Sequence, residues 1–447
     1  MDKNTSRRGF LKSTGALGAI SAAASLKPAL IGAAQPRTQA VTSFEEYVRK
    51  SVVDKKVIDV FLNENTWAQF DPELGYIIGN YMPRDGLDKS ATILTSLSNG
   101  MRTNQIYRDK PCRINTYGNS FTACNQVSDG ETWQEYLAAH LGEPIRNFGV
   151  GGYGVYQSYR RMLREEQTEH SADYIILYMW GDDYFRSVLR CRYVLFYPWW
   201  DSAGGTMFHN NYWANIEMDL FTGTFVEKEN LLATPQQLYK MTDADFLYET
   251  LRDDLMLQMS LYVAGRVDSG LDETGIQRLS EILGLPKVDF RHPERAKPAI
   301  RVLRNSYGFA ATKYILKKAK TFVDGHGKQL MVVHFDPYGS MKSLIESGTR
   351  YDQEVVDYLK QNDFLYFDMN EVHAEDFKQF NLSLNDYMKR YLIGHYSPAG
   401  NHFFAYSIKG EIVDWLNPKP ISYRSDERRM VDFQGYLPGL PDPRSDR

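Results

Sequence analysis

From Cys112 onward, apolar runs of strand length alternate with stretches of helical periodicity, the pattern of a doubly wound parallel sheet. The runs predict buried strands at Arg113 to Gly118, Ile145 to Val150, Tyr174 to Trp180, Gln329 to Phe335 and Phe364 to Met369. Between them the spacing predicts helices near Glu131 to Leu141, Val155 to Gln167, Ala310 to Val323 and Asp352 to Asn362, with a last helix from Pro398 to Leu416. Three strands run into small or polar turns: Gly118-Asn119-Ser120, Gly149-Val150-Gly151-Gly152 and Gly181-Asp182-Asp183. Ligands of open α/β sheets bind at the carboxyl ends of the strands, so these turns are where chemistry is expected.

Between the third and fourth strands the chain inserts residues 184–328, far more than an ordinary crossover. The first part of the insertion is dense in aromatics, among them Phe196, Tyr197, Trp199, Trp200, Phe208, Tyr212, Trp213, Phe221 and Phe225. Such a segment is either a subdomain with its own core or a lid that offers ring faces to a substrate. The expected organisation is therefore a core of residues 112–183 and 329–417, the insertion with its crossover helix at 184–328, an N-terminal extension at 41–111 and a C-terminal extension at 418–447.

Residues 1–40 read as an export signal. Ser6-Arg7-Arg8-Gly9-Phe10-Leu11-Lys12 follows the twin-arginine pattern, an Ala-rich apolar run extends from Gly15 to about Leu26, and Gly32-Ala33-Ala34 offers small residues for cleavage. The run is shorter than the roughly 20 apolar residues of a membrane span, so the mature chain is expected without one. The twin-arginine export machinery is then a partner, and the destination is periplasmic or secreted.

Of the 447 residues, 43% are hydrophobic and 24% charged, as in an ordinary globular protein, and the net charge of -4 provides no broad basic field for nucleic acid. Three scattered cysteines, Cys112, Cys124 and Cys191, are too few for a disulfide framework or a zinc site. No His/Asp/Glu group has metal-ligand spacing and no phosphate loop occurs, so no cofactor is expected.

The candidate chemistry is nucleophilic. Tyr117-Gly118-Asn119-Ser120-Phe121-Thr122 sets a hydroxyl in a turn before a helix, although a Ser there also serves as a cap. After the second predicted strand, Asn147-Phe148-Gly149-Val150-Gly151-Gly152-Tyr153-Gly154 offers a backbone N–H that can approach a reacting oxygen. Gly394-His395-Tyr396-Ser397-Pro398-Ala399-Gly400-Asn401-His402 places a histidine on a loop before the last helix, where an imidazole can take the serine proton and return it.

In this order the blocks resemble the SGNH (GDSL-like) hydrolase superfamily, with its Gly-Asp-Ser, oxyanion Gly, Gly-x-Asn-Asp and Asp-x-x-His. The lead-in Phe70-Asp71-Pro72-Glu73-Leu74-Gly75-Tyr76 and Ser98-Asn99-Gly100-Met101-Arg102 also resembles an extension of bacterial members. The resemblance implies a flavodoxin-like α/β fold and ester hydrolysis through an acyl-serine, with Ser120 as nucleophile and His395 as base. It implies an oxyanion hole formed by the N–H groups of Ser120 and Gly152. For an exported member, the implied substrate is an O-acyl, often acetyl, group on a carbohydrate, within the wider class of small-molecule or carbohydrate esters. A lipolytic esterase or an O-acyltransferase would use the same Ser, and a glycan-binding protein on the same scaffold is the alternative of another class.

The sequence departs from the family pattern at two places. Asn119 stands where the family has Asp, and Asp182 stands where it has the oxyanion Asn. A reciprocal exchange is the expected explanation, with Asn119 as donor and Asp182 and Asp183 in support. The Asp before the histidine is replaced, since Tyr391, Leu392 and Ile393 fill those positions, and its substitute is not legible. His402 is a second candidate base, and His334 a candidate for substrate binding or packing.

Overall fold

The computed structural model describes residues 41–196 and 211–424. Five parallel strands form the central sheet: β1 (Ile114–Tyr117), β2 (Arg146–Asn147), β3 (Tyr174–Met179), β4 (Gln329–His334) and β5 (Leu365–Asp368). Their order across the sheet is β5-β4-β3-β1-β2. The registers run in step, with Tyr174 opposite both Ile114 and Gln329. Because successive side chains in a strand point to opposite faces, β3 divides its residues between two cores. Ile175, Leu177 and Met179 enter one, and Tyr174, Ile176 and Tyr178 enter the other. Both faces are therefore covered, and a strand with no solvent-facing side reads as an unbroken apolar run.

Helices α1 (Ser120–Ala123), α2 (Trp133–Leu141), α3 (Val155–Glu165), α4 (Asp183–Arg186), α5 (Pro293–Gly325), α6 (Gln353–Gln361) and α7 (Pro398–Trp415) supply the layers around the sheet. On one face α2 packs against α7; on the other, α5 packs against α3 and α6. The expected crossover helix at Ala310 to Val323 is the second half of α5. Its first half went unread because Pro293 and Pro298 look like breakers, yet Pro293 occupies the first turn, where its missing N–H costs nothing.

The N-terminal extension and the insertion are interleaved. Thr42–Ser43 pairs with Val267–Ser269, and the Val53 N–H donates to the Met241 carbonyl at 2.9 Å. The hairpin of Ala68–Asp71 and Gly75–Ile78 is fastened to the insertion, where Ala214 N–H donates to the Glu73 carbonyl and the Asn211 amide to that of Gly75. Of the insertion aromatics, Phe196, Tyr212 and Trp213 are buried, so core packing claims these three rings. Phe221 stands in solvent, while Tyr197, Trp199, Trp200 and Phe208 lie outside the described residues. The C-terminal extension starts against the core, with Arg113 Nη1 donating to the Pro418 carbonyl at 2.7 Å. Cys112, Cys124 and Cys191 are free thiols, and burial pushes Cys124 and Cys191 up to about 12. Among the described residues no helix is long and apolar enough to cross a membrane.

Candidate active site

Three strand ends and the loop before α7 converge on one cluster. β1 leaves the sheet through Gly118, whose φ of +158° and surroundings exclude a side chain: a Cβ would stand 2.2 Å from Thr122 Oγ1 and 2.8 Å from the Tyr178 carbonyl. Asn119 then caps α1, its Oδ1 accepting from Phe121 N–H at 2.8 Å. Ser120 is thereby the first helical residue, where a backbone N–H has no intrahelical acceptor. No acceptor for its N–H occurs among the described residues.

His395 reaches this serine from the far end of the chain. Its loop is set by the Tyr338 hydroxyl, which donates to the Gly394 carbonyl at 2.6 Å, and by the Ile393 N–H, which donates to the His395 carbonyl. Phe121 packs beside the imidazole, with ring centroids 5.1 Å apart. Ser120 Oγ and His395 Nε2 are 2.7 Å apart, and the two residues are only 8% and 7% exposed. Burial, and then the charge of Arg186, lower the imidazole pKa to about 3, so His395 is neutral at neutral pH.

The partner at the other ring nitrogen is Gln126. Gln126 Oε1 lies 2.9 Å from His395 Nδ1 and also accepts the His395 backbone N–H at 2.8 Å. Gln126 Nε2 donates to the carbonyls of Asp85 and Ile393, at 3.0 and 3.2 Å. A backbone N–H can only donate and a carbonyl can only accept, so these three contacts fix which end of the amide faces the ring. Oε1 must then receive a proton from Nδ1. The imidazole is the Nδ1–H tautomer, and Nε2 presents its lone pair to Ser120.

The Gln126 loop is held by the Ser98-Asn99-Gly100-Met101-Arg102 segment of the extension. The buried Arg102 guanidinium donates to the carbonyls of Ala123, Cys124 and Val127 and pairs with Asp129 at 2.8 Å. Those bonds fasten a stretch in which Cys124 and Gln126 both adopt left-handed backbone, at φ +56° and +73°.

The second strand end contributes Gly152. The Val150 N–H donates to the Gly118 carbonyl at 2.9 Å, drawing the loop after β2 alongside the end of β1. Gly152 has φ +91°, and a Cβ there would stand 2.4 Å from Arg192 Nη1 and 2.6 Å from the Tyr76 hydroxyl. Its N–H, like that of Ser120, has no acceptor among the described residues.

At the third strand end the expected exchange takes another form. Asn119 Nδ2 donates to Asp183 Oδ2, not to Asp182, and the Trp180 N–H donates to the same oxygen at 2.8 Å. Arg186 pairs with Asp183 at 3.0 Å and with Asp182 at 3.2 Å. Asn119 is thus a brace between the ends of β1 and β3, with one N–H of its amide given to Asp183. Burial raises the Asp183 pKa to about 7 against the opposing pull of Arg186, and burial likewise raises that of Asp182.

Neither remaining histidine joins the cluster. His402 lies on the exposed side of α7 with its ring against Tyr136 and His140. His334 is wholly buried, its Nε2 3.0 Å from Asp352 and 2.7 Å from the Tyr184 hydroxyl, with Arg350 at Nδ1. Sequence reasoning missed Gln126 because its link to His395 spans the whole core. It also missed Arg186, which the three- and four-residue spacing from Asp183 and Asp182 would have revealed.

The assembled groups can therefore deprotonate a hydroxyl, present it as a nucleophile and offer two backbone donors to a developing oxyanion. No protein-family model matches the chain, and no curated protein matches it.

Proposed function

We propose that the chain is an exported serine ester hydrolase of the SGNH type, acting through an acyl-serine, with an O-acylated carbohydrate as substrate. The observation that carries the reading is the 2.7 Å contact between Ser120 Oγ and a neutral His395 Nε2 whose tautomer Gln126 sets. The sheet order β5-β4-β3-β1-β2, of the flavodoxin-like type, also supports it, because the site sits at the carboxyl ends of β1, β2 and β3.

In this mechanism Ser120 Oγ adds to the ester carbonyl carbon while its proton passes to His395 Nε2. The N–H groups of Ser120 and Gly152 hold the resulting oxyanion. Collapse breaks the bond to the alcohol, which leaves with the proton from Nε2. Water then adds to the acyl-serine, giving its proton to Nε2, and the acid departs as Ser120 recovers that proton. The imidazolium formed on the way meets the Gln126 carbonyl dipole where a carboxylate is more usual, and burial disfavours it. Residues 1–40, outside the described structure, direct export in this reading.

Release of acetate from O-acetylated oligosaccharides by the wild type, and none by Ser120→Ala, is the expected result. A folded wild type that releases no acid from these or from short acyl esters would refute the hydrolase reading and favour a glycan-binding protein. Transfer of the acyl group to an added sugar in preference to water would make the chain an acyltransferase.

A further inference from the structure

A cavity of about 270 Å³ opens at the carboxyl end of β3, lined by Asp182, Phe185, Arg301, Arg304, Tyr338 and Tyr351, among others. Two of its walls belong to the candidate active site. Asp182 precedes the Asp183 that braces Asn119, and Tyr338 holds the Gly394 carbonyl beside His395. Its size, just below the roughly 300–1,000 Å³ of small-ligand sites, suits a single ring with its substituents and not a polymer chain.

The carboxylates around Asp182 are already engaged. Asp182, Asp183 and Asp336 lie among the guanidiniums of Arg186, Arg192 and Arg304, but Arg186 takes both Asp182 and Asp183, and Asp336 accepts from the Tyr351 hydroxyl at 2.8 Å and the Gly339 N–H at 2.9 Å. Arg304 Nε and Nη1 are buried without a hydrogen-bond partner, and its Nη2 reaches only Asn305 Oδ1 at 3.2 Å. Arg192 is 2% exposed, and its Nε is likewise unpartnered. Its guanidinium lies over Phe196 and beside Gly152 and the Tyr76 hydroxyl. Neither Arg192 nor Arg304 forms an ion pair among the described residues. Burial lowers the Arg192 pKa to about 9, which still leaves it charged at neutral pH. Buried cations are ordinarily paired, because an unmatched charge away from water is expensive. A guanidinium with free N–H groups matches the two oxygens of a planar or tetrahedral oxyanion, and the aromatic walls suit a sugar face.

We propose that this cavity is the subsite for an acidic sugar, taking its carboxylate or sulfate on Arg304, with Arg192 as the second positive charge on the Gly152 side of Asp182. The inference rests on the ester-hydrolase reading for the identity of the substrate, but binding at the subsite does not require turnover. The full chain carrying Ser120→Ala is titrated with trigalacturonate, with a sulfated galacto-oligosaccharide and with xylotriose as the neutral probe, at 0.1 M salt. The expected result is that at least one acidic probe binds tenfold or more tightly than xylotriose. Binding by trigalacturonate identifies a carboxylate, and binding by the sulfated probe a sulfate. Arg304→Gln or Arg192→Gln in that background should remove the preference, and Arg304→Lys, which keeps the charge and the fold, should retain part of it. Equal binding of the neutral probe, no binding of either acidic probe, or a preference that survives both Gln substitutions overturns the subsite. Acidic-probe binding by a chain that hydrolyses no ester would refute the hydrolase reading alone.

Discussion

Replacing Gln126 by Ala removes the group that fixes the His395 tautomer, and its consequences can be worked out bond by bond. Four hydrogen bonds disappear: two accepted by Oε1 from His395 and two donated by Nε2 to the Asp85 and Ile393 carbonyls. At about 1 kcal/mol net for each neutral bond, the folded state loses about 4 kcal/mol, and less if water fills the space. The catalytic cost is separate. Loss of one ring-orienting bond sets a floor of about tenfold in kcat, and in serine proteases a wrong tautomer costs about 10⁴-fold. We therefore expect kcat on 4-nitrophenyl acetate to fall by about 10²-fold, the middle of that range. The companion variant Gln126→Glu sets a carboxylate at Nδ1, which favours the imidazolium and moves the acid limb of the pH profile upward. The same carboxylate faces two carbonyl oxygens it cannot satisfy, so this variant should also be less stable. The assays are steady-state hydrolysis, urea unfolding and nitrogen NMR of the His395 ring, which should show a proton on Nδ1. A folded Gln126→Ala protein with wild-type kcat would refute the assignment of Gln126 as the positioning residue.

Further outcomes follow from the same geometry. In the wild type, the His395 limb of kcat/KM should lie below about pH 5, because burial holds the imidazole neutral with a pKa of about 3, and a limb near pH 7 belongs to Asp183, which burial raises to about 7; a limb near pH 7 that persists in Asp183→Asn would contradict the described environment. Gly152→Ala places a Cβ 2.4 Å from Arg192 Nη1 on a backbone with φ +91°, and should cost about 1–3 kcal/mol in stability together with a loss of kcat. Unfolding and rate measurements on that variant test both, and unchanged values would show that no close approach is needed there. Arg102→Met takes the cation from the buried Asp129 carboxylate, leaving it only the Thr95 N–H and hydroxyl, and strands three carbonyls, so the urea midpoint should drop by the equivalent of about 3 kcal/mol.

Strand β3 was legible because a strand buried on both faces is apolar at consecutive positions, as Tyr174–Met179 is, whereas the short β2, Arg146–Asn147, was read from its apolar flanks Ile145 and Phe148. Helix α5 was half legible, since Pro293 in its first turn and Pro298 inside it both read from sequence like helix breaks. Ser120, Gly152 and His395 could be picked out because the order of their blocks resembles the SGNH pattern; the turn at Ser120 alone reads equally as a helix cap, which it also is, with Asn119 as the cap and Ser120 the first residue after it. Gln126 belongs to no such block. It serves His395 through a side-chain amide aimed by the backbone of Asp85 and Ile393, and only the folded chain brings those groups together. The pairing of Asn119 with Asp183, where the sequence suggested an oxyanion donor, has a similar origin. Neighbouring carboxylates in one turn point in different directions, and the choice depends on which faces β1.

The most direct test of the account is covalent. A fluorophosphonate reacts only with a serine whose proton a neighbouring base can take, so incubation of the full chain followed by peptide mapping reads out the Ser120–His395 pair itself. The account predicts one phosphonyl group per chain, on Ser120, with none on Ser120→Ala. A folded wild type that remains unlabelled, or that carries the label on another residue, would contradict it.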